Sequence, residues 1–134
     1  MTNHEAEAIE QVEDFSEQLL REAGEMQLLS IKYKNARSEY ARCFNGITLL
    51  IYKAGLHRSK AAFENKIPML FAHPDYKEEA IELASKMNEA RQEYKGLEMV
   101  LQAYQAKISG LQSVIKFMQM GEIHAAAAAK YGYR

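Results

Sequence analysis

The sequence predicts an all-α fold, a long antiparallel helical hairpin of coiled-coil character, and three features point there. Strong helix formers (Ala, Glu, Lys, Leu, Met, Gln) dominate, with two prolines and no tryptophan. Apolar residues recur every seven positions along two stretches of similar length. Both prolines, Pro68 and Pro74, fall between those stretches, where the chain has to turn. A length of 134 residues is that of one domain, and 48% apolar with 26% charged residues is ordinary for a globular chain.

The first stretch counts in sevens from Val12 through Leu19, Met26, Tyr33, Tyr40 and Ile47 to Ala54. Three residues after each lie Phe15, Glu22, Leu29, Ala36, Cys43 and Leu50, and only Glu22 is out of keeping. That spacing draws one stripe along a helix and favours supercoiling against a second helix. Gly24 and Gly46 interrupt it at a cost of about 1 kcal/mol each relative to alanine, which packing can absorb.

The repeat stops at Gly55. Ser59 is placed to cap a short connector helix towards Lys66, and Pro68 is expected to end it. His73 and Pro74 restart the chain. Proline suits the first turn of a helix, and Asp75, Glu78 and Glu79 sit where the helix dipole favours negative charge.

The second stretch reads Ala80, Met87, Tyr94, Leu101, Ile108 and Ile115, partnered by Leu83, Ala90, Leu97, Tyr104, Leu111 and Met118. All twelve comply. Gly121 is expected to weaken or end this helix. The predicted organisation is one hairpin domain over 1–121, with a helix over about 4–54, a connector over 55–73 and a helix over about 74–120. An alanine-rich extension or tail follows over 122–134.

Equal lengths and matched stripes imply that residues whose numbers sum to roughly 129 face one another. The charges agree. Residues 1–30 carry eight acids and one base, and residues 101–134 carry one acid and four bases. Residues 31–66 carry two acids and eight bases, against seven acids and four bases in 67–100. An antiparallel fold sets each segment beside its opposite.

A lone hairpin leaves apolar side chains off the seam. Leu28, Phe44, Leu49, Ile51, Val100, Val114 and Phe117 form the expected self-association surface, with Leu20, Ile31 and Met99 nearby. A homo-oligomer, a four-helix or larger bundle, is the simplest way to cover them.

Little in the chain suggests chemistry. Cys43 lies on the seam, so it is expected to be buried and inert, with the charge of Arg42 directed elsewhere. One cysteine cannot make an internal disulfide and fits a reducing compartment. His4, His57, His73 and His124 show no metal-ligand spacing, no catalytic or cofactor-binding residues stand out, and no small-molecule substrate is expected. The densest apolar run, residues 47–52, is far below the ~20 residues needed to span a bilayer, so no membrane association is expected. The acidic start lacks signal-peptide character, and a cytoplasmic location is expected. Seam tyrosines Tyr33, Tyr40, Tyr94 and Tyr104 should bury their rings. Tyr76, Tyr131 and Tyr133 are better placed to stack on bases. Among the basic residues of 32–66, Arg58, Lys60 and Lys66 near the turn have the fewest acids opposite and are the candidate contacts to a nucleic acid or partner, together with Tyr131 and Tyr133.

The segment from "GLHRSKAAFENKI" through "HPDYKEEAIELASKMNEARQEYKGLEMVLQAYQAKISGLQSVIKF" resembles small phage and prophage proteins encoded among the recombination and replication genes of temperate phages. Those proteins have a first helix, a Ser/Ala-rich connector, an acidic Pro-x-Tyr helix start and a long second helix ending in a Leu-rich, often basic stretch. Ser59 to Phe63, Pro74 to Tyr76 and Leu97 to Phe117 are the corresponding pieces, and the likeness covers about half the chain. The acidic N-terminal arm is longer here and the alanine tail is additional. The resemblance implies a role near DNA ends, annealing proteins or host nucleases, and it transfers no catalytic residues. The expectation is a non-enzymatic accessory of recombination or replication that binds DNA or a recombination protein as an oligomer. The alternatives are an inhibitor of a host nuclease or defence complex, working through the acidic arm or the apolar side face, and a purely structural or chaperone-like coiled coil.

Overall fold

Two long helices carry the fold, and a short third one joins them. The computed structural model describes the backbone of residues 2–131 and the side chains of residues 2–121. Helix α1 spans Asn3–Lys53, a 3-10 turn covers Leu56–Arg58, α2 spans Phe63–Phe71 and α3 spans Lys77–Tyr131. No strand occurs among the described residues. The first and third helices pack as the two limbs of a hairpin. The chain divides into two compact units, one formed by residues 1–29 with 99–134 and the other by residues 30–98.

The 30–98 unit contains every fully buried apolar side chain among the described residues. Ile47, Leu50, Ile51, Leu70 and Ala80 form its centre, and Leu56, Phe63, Ile67, Phe71, Tyr76, Leu83 and Met87 pack around them. Further along, Tyr94 meets Tyr33 and Tyr40 edge to face, with ring centroids 6.3 and 5.4 Å apart. The Arg37 guanidinium lies 4.8 Å from the Tyr94 ring centre, a cation over the electron-rich face of the ring. Gly46 lies against Leu83, in the register expected from the charges and stripes.

The connector departs from expectation in two ways. The helix begins at Phe63 after Ala62, so Ser59 does not cap it. Ser59 instead ends the 3-10 turn, and its hydroxyl accepts the Ala61 N–H at 3.2 Å. Pro68 lies inside α2 rather than after it. Proline removes one helical hydrogen bond. Burial of Leu70, with Phe63, Ile67 and Phe71 packed beside it, offsets that loss in so short a helix. A turn over 74–76 then leads into α3, in which Lys77 N–H bonds to His73 O at 2.9 Å and Glu78 and Glu79 occupy the first turn.

In the other unit the seam side chains of both limbs, Val12, Phe15, Leu19, Met26 and Leu29 with Leu101, Ile108, Leu111, Ile115 and Met118, are half-buried. Two helices alone can cover no more than one stripe of each other. Glu22, the one polar residue on the seam, is only 12% exposed and pairs with Lys107 at 2.5 Å. One turn along, the Tyr104 hydroxyl donates to Glu25 Oε2. Both pairs keep the expected register. Gly121 does not end α3, which continues through the alanines to Tyr131. A glycine costs about 1 kcal/mol in a helix, and the best helix former follows it five times in succession.

Candidate nucleic-acid interface

The turn between α1 and α2 gathers exposed basic side chains that make no ion pair among the described residues. Gly55 adopts φ 77°, a left-handed conformation that side chains rarely accept, and this ends α1. Its N–H bonds to Tyr52 O at 3.0 Å, and the Ser59 N–H bonds to Leu56 O at 3.0 Å. This tight winding turns Leu56 towards the core and leaves His57, Arg58 and Lys60 exposed, with Lys53 exposed on the last turn of α1. Lys66 is half-buried on α2, less available than expected. Among the described residues, Arg58, Lys60 and Lys66 make no ion pair.

An aromatic side chain not singled out in the sequence belongs to this turn. Tyr52 is 65% exposed, and its ring stacks on the His57 imidazole at 4.5 Å with 28° between the planes. The neighbouring Lys53 and the position off the heptad stripe were the available signals. Tyr76, expected to be a stacking residue, is half-buried beside the core with its ring 4.9 Å from His73. The turn preceding α3 lays its ring inward. The side chain of Tyr131 and all of Tyr133 lie outside the described residues. His73 has a structural part, since its Nδ1 accepts the Asp75 N–H at 3.3 Å.

Arg42 of α1 and Lys86 of α3 are each paired with an acid of their own helix. Arg42 donates to both carboxylate oxygens of Glu39, at 2.6 and 3.0 Å, and Lys86 donates to Glu82 at 2.9 Å. The Arg42 hydrogen bond is the main reason the Glu39 carboxyl is held below its usual range. Contrary to expectation, Arg42 also reaches back to Cys43, with Nη2 3.7 Å from Sγ. This does not activate the thiol. Cys43 is completely buried and donates to Glu39 Oε1 at 3.6 Å. Burial first, then the Glu39 charge, raises its pKa and keeps it protonated. No group of three His, Cys, Asp or Glu side chains suited to a metal ion occurs among the described residues.

Of the expected association surface, Leu28, Leu49, Val100, Val114 and Phe117 are exposed, Phe117 to 79%. Phe44 is partly used within the chain, stacked on Phe63 at 4.5 Å. Ile51 is a correction. It is 4% exposed and belongs to the core, because α2 folds back over that side of α1. No helix among the described residues is long and apolar enough to cross a membrane.

No protein-family model matches the chain, and neither curated proteins nor solved structures give a significant match.

Proposed function

We propose that the chain is a non-enzymatic accessory protein of phage or prophage DNA recombination or replication, a helical oligomer that contacts DNA through the turn between α1 and α2. The observation that carries this reading is the placement of Arg58 and Lys60, exposed together with Lys53 and free of ion pairs among the described residues. Cations so placed can displace the counterions condensed on a phosphate backbone. The likeness of residues 55–117 to phage recombination-cassette proteins supports the setting, and the exposed apolar side chains support self-association.

A mobility-shift titration at low salt tests DNA contact. Retardation should weaken as salt rises, and Arg58→Ala with Lys60→Ala should reduce the salt slope by about 0.7–0.9 for each phosphate no longer neutralised. No retardation of single- or double-stranded DNA by micromolar protein contradicts it. Sedimentation tests the oligomer, which a strictly monomeric species at micromolar concentration contradicts.

The α1 acids give a second reading. Glu5, Glu7, Glu10, Glu13, Asp14 and Glu17 are all exposed, as a mimic of a phosphate strand would require for occupying a host nuclease channel. A pull-down from host lysate that recovers only the protein itself removes that reading.

A further inference from the structure

We propose that the α1–α2 turn takes single-stranded nucleic acid, with one base stacked on Tyr52 and the adjoining phosphates held by Lys53, Arg58 and Lys60. The inference rests on the reading of this turn as a DNA-contacting surface and specifies which form of nucleic acid it prefers.

Most of the aromatic rings of the 30–98 unit are spent inside it. Tyr33, Tyr40 and Tyr94 pack on one another, Phe44 covers Phe63, and Phe71 and Tyr76 line the core. Tyr52 contributes nothing to that core and stays 65% exposed. One face of its ring stacks on the His57 imidazole at 4.5 Å, and the exposure of the side chain leaves ring surface for a base. Lys53, next to Tyr52 in sequence, and Arg58, next to His57, are exposed cations, and Lys60 follows within the same turn. An exposed aromatic ring among unpaired cations is the arrangement that binds unpaired strands, because stacking needs a base with a free face. In a duplex the base faces are already stacked, so only the phosphates remain for the lysines and arginine to bind.

Fluorescence anisotropy with a labelled oligo(dT) and a duplex of the same length, at low salt, tests this on the full chain. The single strand should bind more tightly. Tyr52→Ala should weaken oligo(dT) binding roughly 5- to 100-fold and leave duplex binding unchanged, whereas Tyr52→Phe should stay within about twofold. Tyr52→Leu keeps an apolar helix former at the position but lacks a π face, and it should behave as the alanine variant does. Circular dichroism of each variant confirms the helical fold. Wild-type affinity for oligo(dT) in folded Tyr52→Ala and Tyr52→Leu, or tighter binding of the duplex, overturns the stacking inference. If Arg58→Ala with Lys60→Ala then still weakens binding, DNA contact at the turn stands without it. Failure of the wild type to bind either nucleic acid overturns direct DNA contact and the stacking inference together.

Discussion

The Tyr104 hydroxyl donates to Glu25 Oε2 at 2.6 Å, joining residues 79 positions apart across the two limbs. The bond holds the tyrosine proton. The Tyr104 pKa is raised above the usual value near 10, first because the neutral hydroxyl donates to Glu25, then through burial and the negative charges of Glu25 and Glu22. The folded chain therefore binds this proton more tightly than the unfolded chain does. Its contribution to stability is complete below pH 10 and is lost as pH climbs from about 10 through the raised folded value. Wild type should exceed Tyr104→Phe in stability near neutrality, and that advantage should shrink across the alkaline range when followed by urea melts. A constant difference up to high pH would show that the proton is not shared in this way.

Leu70 fixes the connector to both long helices, fully buried among Ile47, Leu50 and Ala80. Leu70→Ala should cost about 2–5 kcal/mol, the transfer term plus the cavity it leaves. An equilibrium urea titration reads the loss, and a cost under about 1 kcal/mol would mean that α2 does not seal the core.

Two helical glycines should respond differently to the same substitution. A Cβ at Gly110 meets nothing within 4 Å, so Gly110→Ala should stabilise by about 0.5–1 kcal/mol. At Gly46 the new methyl would come 3.0 Å from Leu83 Cδ1, so the leucine must shift and the helix gain is offset. Thermal melts of the two variants should rank Gly110→Ala clearly above Gly46→Ala.

The Cys43 thiol should be silent in the folded protein. It is fully buried and kept protonated by its surroundings. Reaction with a thiol-specific disulfide reagent should proceed at the rate of chain opening and accelerate in urea in step with loss of helicity. Stoichiometric labelling within seconds under native conditions would contradict the packing described.

The seams were legible because a seven-residue repeat is a local property of the chain. Val12 through Leu50 and Ala80 through Met118 fall on covered positions, and the charge blocks supplied the register that Glu22 with Lys107 and Gly46 with Leu83 display. What the repeat could not convey was the effect of a third element. Ile51 looked like surface because the heptad contains no term for α2, which lies over it. Pro68 looked like a stop because a local rule cannot weigh the burial of Leu70 against one missing hydrogen bond. The inward placement of Tyr76 has the same origin. Tyr76 belongs to the turn over 74–76, outside the reach of the heptad, and the winding of that turn decides which way its ring faces.

The continuity of α1 across both units has a consequence for the order in which the chain comes undone. Residues 47–87 close on one another over short spans, whereas Glu25 and Tyr104 have a long loop between them. Each doubling of loop length costs about 0.6 kcal/mol of closure entropy, and the paired ends add no fully buried side chain, among those described, to recover it. Amide exchange should therefore fray inward from the ends and reach the turn last, so that the basic loop persists in partially opened molecules whose far ends have already separated.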